Sequence, residues 1–243
     1  MEIFNEAEWT EKIKNPTWYM GVSSEMEKLQ ELRDKDKEKF ETEKERIYSF
    51  FEAKLDDGEI ALGNLEGNFD VERKPIDTVV IHHTHGRRGM TKERLSAMEL
   101  VRLYAPYYEN PTYENDKSIK GEPISSGHIR EGKQVFYPYH WIVREDGSVE
   151  RLLNDSEVGW HSGNWEVNCR SVAIAFDHDF EDSTPSDVEL MSVVKIIREN
   201  YPTISKDKIV GHCEVNSKTT CPSNLFLSKD GQQGWKDRLL GMI

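Results

Sequence analysis

The chain has 243 residues, of which 36% are hydrophobic and 32% charged, and its formal net charge is −13. That acidity argues against a nucleic-acid partner, which needs a basic stripe, and against adhesion to anionic membranes or wall polymers through bulk charge. Three cysteines, Cys169, Cys213 and Cys221, are too few for a disulfide framework, and no apolar run is long enough to span a bilayer.

The start, MEIFNEAEWTEKI, is acidic and polar. It lacks the basic region and apolar core of a secretory signal, so the expectation is a chain made and kept in the cytoplasm. Trp9, Ile13, Trp18 and Tyr19 form a short piece expected to dock on something. From Ser24 to Leu55 the apolar residues recur at helical spacing between dense charges, with Ser23 or Ser24 as cap, which predicts one long solvated helix. Its seam packs on the main body or serves a protein partner or a second copy. Residues 58–70 read as a linker, which sets an N-terminal helical extension over 1–70 apart from a domain over 71–243.

Pro75 opens a strand, Ile76–His82, and Met90–Tyr104 follows as a helix. The polar stretch Glu109–Gly132 reads as a functional loop, with His85 in an earlier loop. Val135–Val143 and Ser148–Leu153 flank an Asp-Gly pair and predict a hairpin. Ser171–Phe176 is a buried strand and Pro185–Asn200 a helix capped by Thr184 or Ser186. Ile209–Gly211 is a short strand that delivers His212, and Trp235–Leu240 a terminal helix. This order predicts an α/β fold with a mixed central β-sheet flanked by helices.

Two imidazoles and a thiolate carry the chemistry. Cys221 lies nine positions after His212, and His82 and His83 sit at the end of the first strand. Alternation along a strand lets only one of that pair face a given site. One thiolate with two imidazoles suits zinc, and three protein ligands leave a fourth position open, as in catalytic rather than structural sites. The set points to metal-assisted hydrolysis.

The stretches VVIHHT (79–84), YHWIVREDGSVERLL (139–153), VGWHSGNWEVNCRSVAIAF (158–176), TPSD (184–187) and GHCEVNSKTTCPS (211–223) stand in an order that resembles the zinc-dependent N-acetylmuramoyl-L-alanine amidases. That superfamily includes the peptidoglycan recognition proteins, and the phage endolysins look most similar. The resemblance implies one catalytic zinc held by His82, His212 and Cys221, with His83 in packing. It implies Tyr139 as the donor near the metal. Some relatives use a strand glutamate instead, and the corresponding position here is Ala175. For the oxyanion donor it implies Lys218 by spacing from His212, or Thr219 counted back from Cys221; Lys218 is favoured. His161, Trp160 and Asn168 would line the substrate groove, together with Thr219 if it is not the donor.

The implied substrate is peptidoglycan or a muropeptide, cut between N-acetylmuramic acid and L-alanine, as in cell-wall lysis after release or in recycling. A non-catalytic peptidoglycan-binding module is the alternative. A third reading holds the amidase domain inactive until the N-terminal helix moves.

Overall fold

The computed structural model describes residues 4–64, 69–84, 97–111 and 119–243. In chain order the helices are α1 (Glu6–Lys12), α2 (Val22–Lys35), α3 (Lys37–Asp56), α4 (Ala105–Glu109), α5 (Trp165–Arg170), α6 (Asp187–Asn200), α7 (His212–Val215) and α8 (Trp235–Met242). The strands are β1 (Thr78–His83), β2 (Ile129–Arg130), β3 (Lys133–Gln134), β4 (Trp141–Val143), β5 (Val149–Arg151), β6 (Ser171–Phe176) and β7 (Ile209–Gly211). Two compact units divide the chain: residues 1–68 with 91–136, and residues 69–90 with 137–243. Among the described residues no helix is long and apolar enough to cross a membrane.

The first unit contains the N-terminal helices. The single helix expected over 24–55 is two helices that break at Asp36, whose extended backbone (φ −155°, ψ 91°) cannot continue α2. Its N–H closes α2 on the Leu32 carbonyl, and its carboxylate accepts from the Lys39 N–H to start α3. Helical periodicity runs through such a break unseen, because a capping residue is polar like its neighbours. Phe4, Trp9, Trp18, Phe50 and Phe51 pack against one another, Phe4 stacked on Trp9 and the other pairs edge-on or tilted, and bury the apolar seam. The first residues are tied to later ones within the same unit. Tyr19 donates to the Glu122 carbonyl, and the Glu109 carboxylate accepts from the N–H groups of Gly21 and Ser23 at the start of α2. Residues expected as a linker are likewise fastened, through Ala61 N–H to Ile13 and Gly63 N–H to Ile124. The stretch expected as a loop ends in a short antiparallel pair, with β2 inside it and β3 directly after it, and its residues 112–118 fall outside the description. The expected helix over 90–104 is described only from residue 97, where it runs into a π turn, Leu100–Tyr104.

The second unit is built on a five-stranded sheet in the order β5-β4-β6-β1-β7. β4, β6, β1 and β7 run parallel, and β5 returns antiparallel on β4 at one edge. All six residues of β1 and all six of β6 are buried, as expected of central parallel strands covered on both faces. Val79, Ile81, Val172, Ile174 and Phe176 form one core with Leu190, Val193 and Ile197 of α6 and with Trp235 and Leu239 of α8. Each such side chain contributes about 1.5–3 kcal/mol by leaving water. A capping box starts α6: Ser186 and Glu189 each bond the other's backbone N–H, which selects Ser186 over Thr184. The first arm of the expected hairpin is strand only at Trp141–Val143. Residues 135–140 are irregular around Pro138, which has no N–H to give a ladder.

Candidate metal centre

The parallel strands decide where the chemistry goes. β1 delivers His82 near its carboxyl end, and its neighbour β7 ends at Gly211, directly before His212 at the start of α7. Only glycine fits at 211: a Cβ there would lie 2.4 Å from the Phe226 ring and 2.9 Å from Pro222 Cδ. Cys221 returns to the same place because the Cys213 N–H bonds its carbonyl at 2.7 Å. Its own N–H is held by Thr219 Oγ1 at 3.1 Å, and Thr220 and Ser223 fasten the loop to Glu181.

One donor atom from each of His82, His212 and Cys221 lies within 4.8 Å of the others. His82 Nδ1 and Cys221 Sγ are 3.7 Å apart. Two such ligands on a tetrahedral zinc would be about 3.5 Å apart. The hydrogen bonds also leave the correct lone pairs free. His212 Nε2 lies 3.1 Å from the Ser162 carbonyl, which can only accept, so Nε2 carries the proton and Nδ1 is bare. Burial, reinforced by the neighbouring His212, His161 and His83, holds His82 well below the ordinary imidazole range, and burial lowers His212 too. Both shifts favour the neutral form that a ligand needs. Burial pushes the Cys221 thiol up to about 12, opposed by the His83 N–H at 3.5 Å from Sγ. A divalent cation reverses that preference and takes the thiolate outright. The residues present thus fit one zinc ion.

The other expected site residues fall as follows. The Tyr139 ring is 5.2 Å from that of His82. His161 is buried with Nδ1 3.0 Å from His82 Nε2. Trp160 is buried between Phe69 and Trp165. Asn168 is also buried, and its Oδ1 accepts from the N–H groups of His161 and Ser162 and from the Ser162 hydroxyl. Thr219 is half-buried, and Lys218 is exposed. His83 turns to the other face, where Nδ1 accepts from the Phe180 N–H. Cys213 packs at the edge of the core. Cys169 is buried in α5, a helix capped by Asn164. His85 lies outside the described residues.

Arg73 has no signature in the sequence that sets it apart from other surface arginines. Its guanidinium donates to the carbonyls of Asp155, Asn168, Cys169 and Ser171, clamping the turn from α5 into β6. Arg73→Ala strands those acceptors and should lower unfolding free energy by about 3 kcal/mol in urea titrations. An unchanged midpoint would show that solvent replaces the clamp.

Fold and cluster together define an α/β protein with a candidate open, single-metal site at the carboxyl ends of parallel strands. Residues 72–224 match the family described as N-acetylmuramoyl-L-alanine amidase, and the chain belongs to that family. It is 27% identical over 107 residues to the 1,6-anhydro-N-acetylmuramyl-L-alanine amidase AmpD of Haemophilus influenzae, an alignment covering 41% of this chain and 58% of that relative. Among solved structures it is similar to the N-acetylmuramoyl-L-alanine amidase LysC from Clostridium intestinale, with 22% identity, 63% and 79% of the two chains covered and a TM-score of 0.44. It is also similar to the Ph2119 endolysin from a Thermus scotoductus bacteriophage, with 20% identity, 67% and 85% covered and a TM-score of 0.40.

Proposed function

We propose that the chain is a zinc-dependent amidase that cleaves the bond between N-acetylmuramic acid and L-alanine in peptidoglycan or muropeptides. The observation that carries this reading is the convergence of His82, His212 and Cys221, with His82 Nδ1 3.7 Å from the thiol and His212 Nε2 turned to the Ser162 carbonyl. Zinc held there supplies the Lewis acidity that an unactivated amide needs.

This chain's own residues do the rest. Tyr139 stands beside His82, where a neutral phenol can donate to charge that exists only in the transition state. Lys218 is exposed, and its ammonium can close on the oxygen of the tetrahedral intermediate. No serine or cysteine nucleophile is required; Cys221 acts as a ligand and not as an attacking group. Tyr139→Phe removes one donor and should lower kcat by about 10²-fold, with KM changed little, in steady-state assays on a muropeptide. A rise in KM alone would make Tyr139 a binding residue.

The deciding experiment is release of stem peptide from purified peptidoglycan, with and without a chelator and with zinc added back. Chelator-sensitive release with a new L-alanine amino terminus supports the reading. Tight binding by zinc-replete protein without cleavage replaces it with a recognition module.

A further inference from the structure

As ligands, His82 and His212 must each offer a bare Nδ1 to the shared centre, and so each must keep its proton on Nε2. For His212 one backbone carbonyl, that of Ser162, settles the matter directly. For His82 the Nε2 partner is another imidazole, Nδ1 of His161 at 3.0 Å, which by itself could accept or donate. The ambiguity is removed two bonds further on. His161 Nε2 lies 3.1 Å from Ser171 Oγ, and Ser171 Oγ lies 2.6 Å from the Val167 carbonyl.

A carbonyl oxygen accepts only, so the single hydroxyl proton of Ser171 goes to Val167. Ser171 Oγ must then accept from His161 Nε2–H. His161 Nδ1 is left bare and must accept from His82 Nε2–H. His82 Nδ1 is left bare and faces Cys221 Sγ at 3.7 Å. Every member is buried: His82 is 1% exposed, His161 6% and Ser171 0%, so bulk solvent is kept from the chain. Asn168 fixes the near end of the same segment by accepting from the His161 and Ser162 N–H groups.

Resting on the zinc-amidase reading, we infer that His161 is a positioning residue: with Ser171 it relays the acceptor character of the Val167 carbonyl to His82 and holds that ligand in its metal-binding tautomer. One segment, residues 161–171, thereby sets both imidazoles. This differs from lining the substrate groove, because its effect is on metal retention and not on substrate affinity.

The test uses the full chain. Long-range proton–nitrogen correlation spectra of histidine-labelled, zinc-loaded protein should show both His82 and His161 protonated on Nε2. His161 protonated on Nδ1 would overturn the relay. Zinc competition against a chromogenic chelator should show His161→Phe weakened by about 10–100-fold, the usual effect of losing a partner behind a ligand. His161→Gln offers an acceptor oxygen and a donor amide and should recover part of that loss. Ser171→Ala should weaken zinc in the same direction and serves if His161→Phe lacks the folded circular dichroism of the wild type. At saturating zinc, KM for a muropeptide should be unchanged. Wild-type zinc affinity in His161→Phe and Ser171→Ala, with KM raised in the former, overturns the relay and makes His161 a groove residue. Wild-type protein that binds zinc but cleaves nothing removes the amidase reading while the affinity series still supports the relay; wild-type protein that binds no zinc overturns both.

Discussion

Cys221→Ala should hold no stoichiometric zinc and should release stem peptide at least about 10³-fold more slowly than the wild type. The thiolate is the one anionic donor of the three, and without it two neutral imidazoles face a dication alone. Lewis acidity is worth several kcal/mol to amide hydrolysis, and about 1.4 kcal/mol is tenfold in rate. The fold should survive, since Sγ is a small group at the core's edge and its removal costs only about 1–2 kcal/mol. Cys221→Asp keeps an anionic donor and should retain part of the zinc affinity. Cys213→Ala is the control: that thiol packs against the core and is no part of the cluster, so zinc should remain stoichiometric. Metal analysis beside a peptide-release assay decides it, and a Cys221→Ala protein that keeps both zinc and activity would remove Cys221 from the site.

Lys218→Ala should lower kcat by about 10²–10³-fold with KM little changed, whereas Thr219→Ala should lower kcat only a few-fold. The sequence left these two residues in competition because counting from His212 favours one and counting from Cys221 the other. The structure gives them different surroundings. Thr219 Oγ1 already accepts from the Cys221 N–H and so holds the loop that carries the thiol. Lys218 bonds the Asn216 side chain through its backbone N–H and is exposed, so its ammonium can turn toward developing charge. Thr219→Ala should instead show its cost in zinc affinity. The reverse pattern, a large kcat loss in Thr219→Ala and a mild one in Lys218→Ala, would assign the oxyanion to the threonine.

Much of the sheet was legible because its signals are local. The runs Val79–Ile81 and Val172–Phe176 at the centre of the two buried strands are entirely apolar, and the Asp-Gly turn before β5 depends on two residues. The Asp36 break between α2 and α3 was not legible, since a capping aspartate in a charged helix looks like another surface acid. Nor was α5, which is only six residues long and too short for a period. The fastening of the N-terminal residues to residues 109–124 rests on contacts such as Tyr19–Glu122, over a hundred residues apart, which no local pattern announces.

The same division holds in the site. Candidate ligands are read from residue type, so His82, His212 and Cys221 could be proposed from the chain, with alternation letting only one of His82 and His83 face the site and the family resemblance favouring His82. By itself the sequence determined an acidic α/β chain carrying a zinc-type donor set. The tertiary structure alone decided which nitrogen of each imidazole is free. That property depends on what stands behind the ring, and here it is the carbonyl of Ser162 for one and a chain ending at the carbonyl of Val167 for the other. Backbone carbonyls are the same in every residue, so their placement carries no trace in the sequence and is set only when β1, β7 and the 161–171 segment come together.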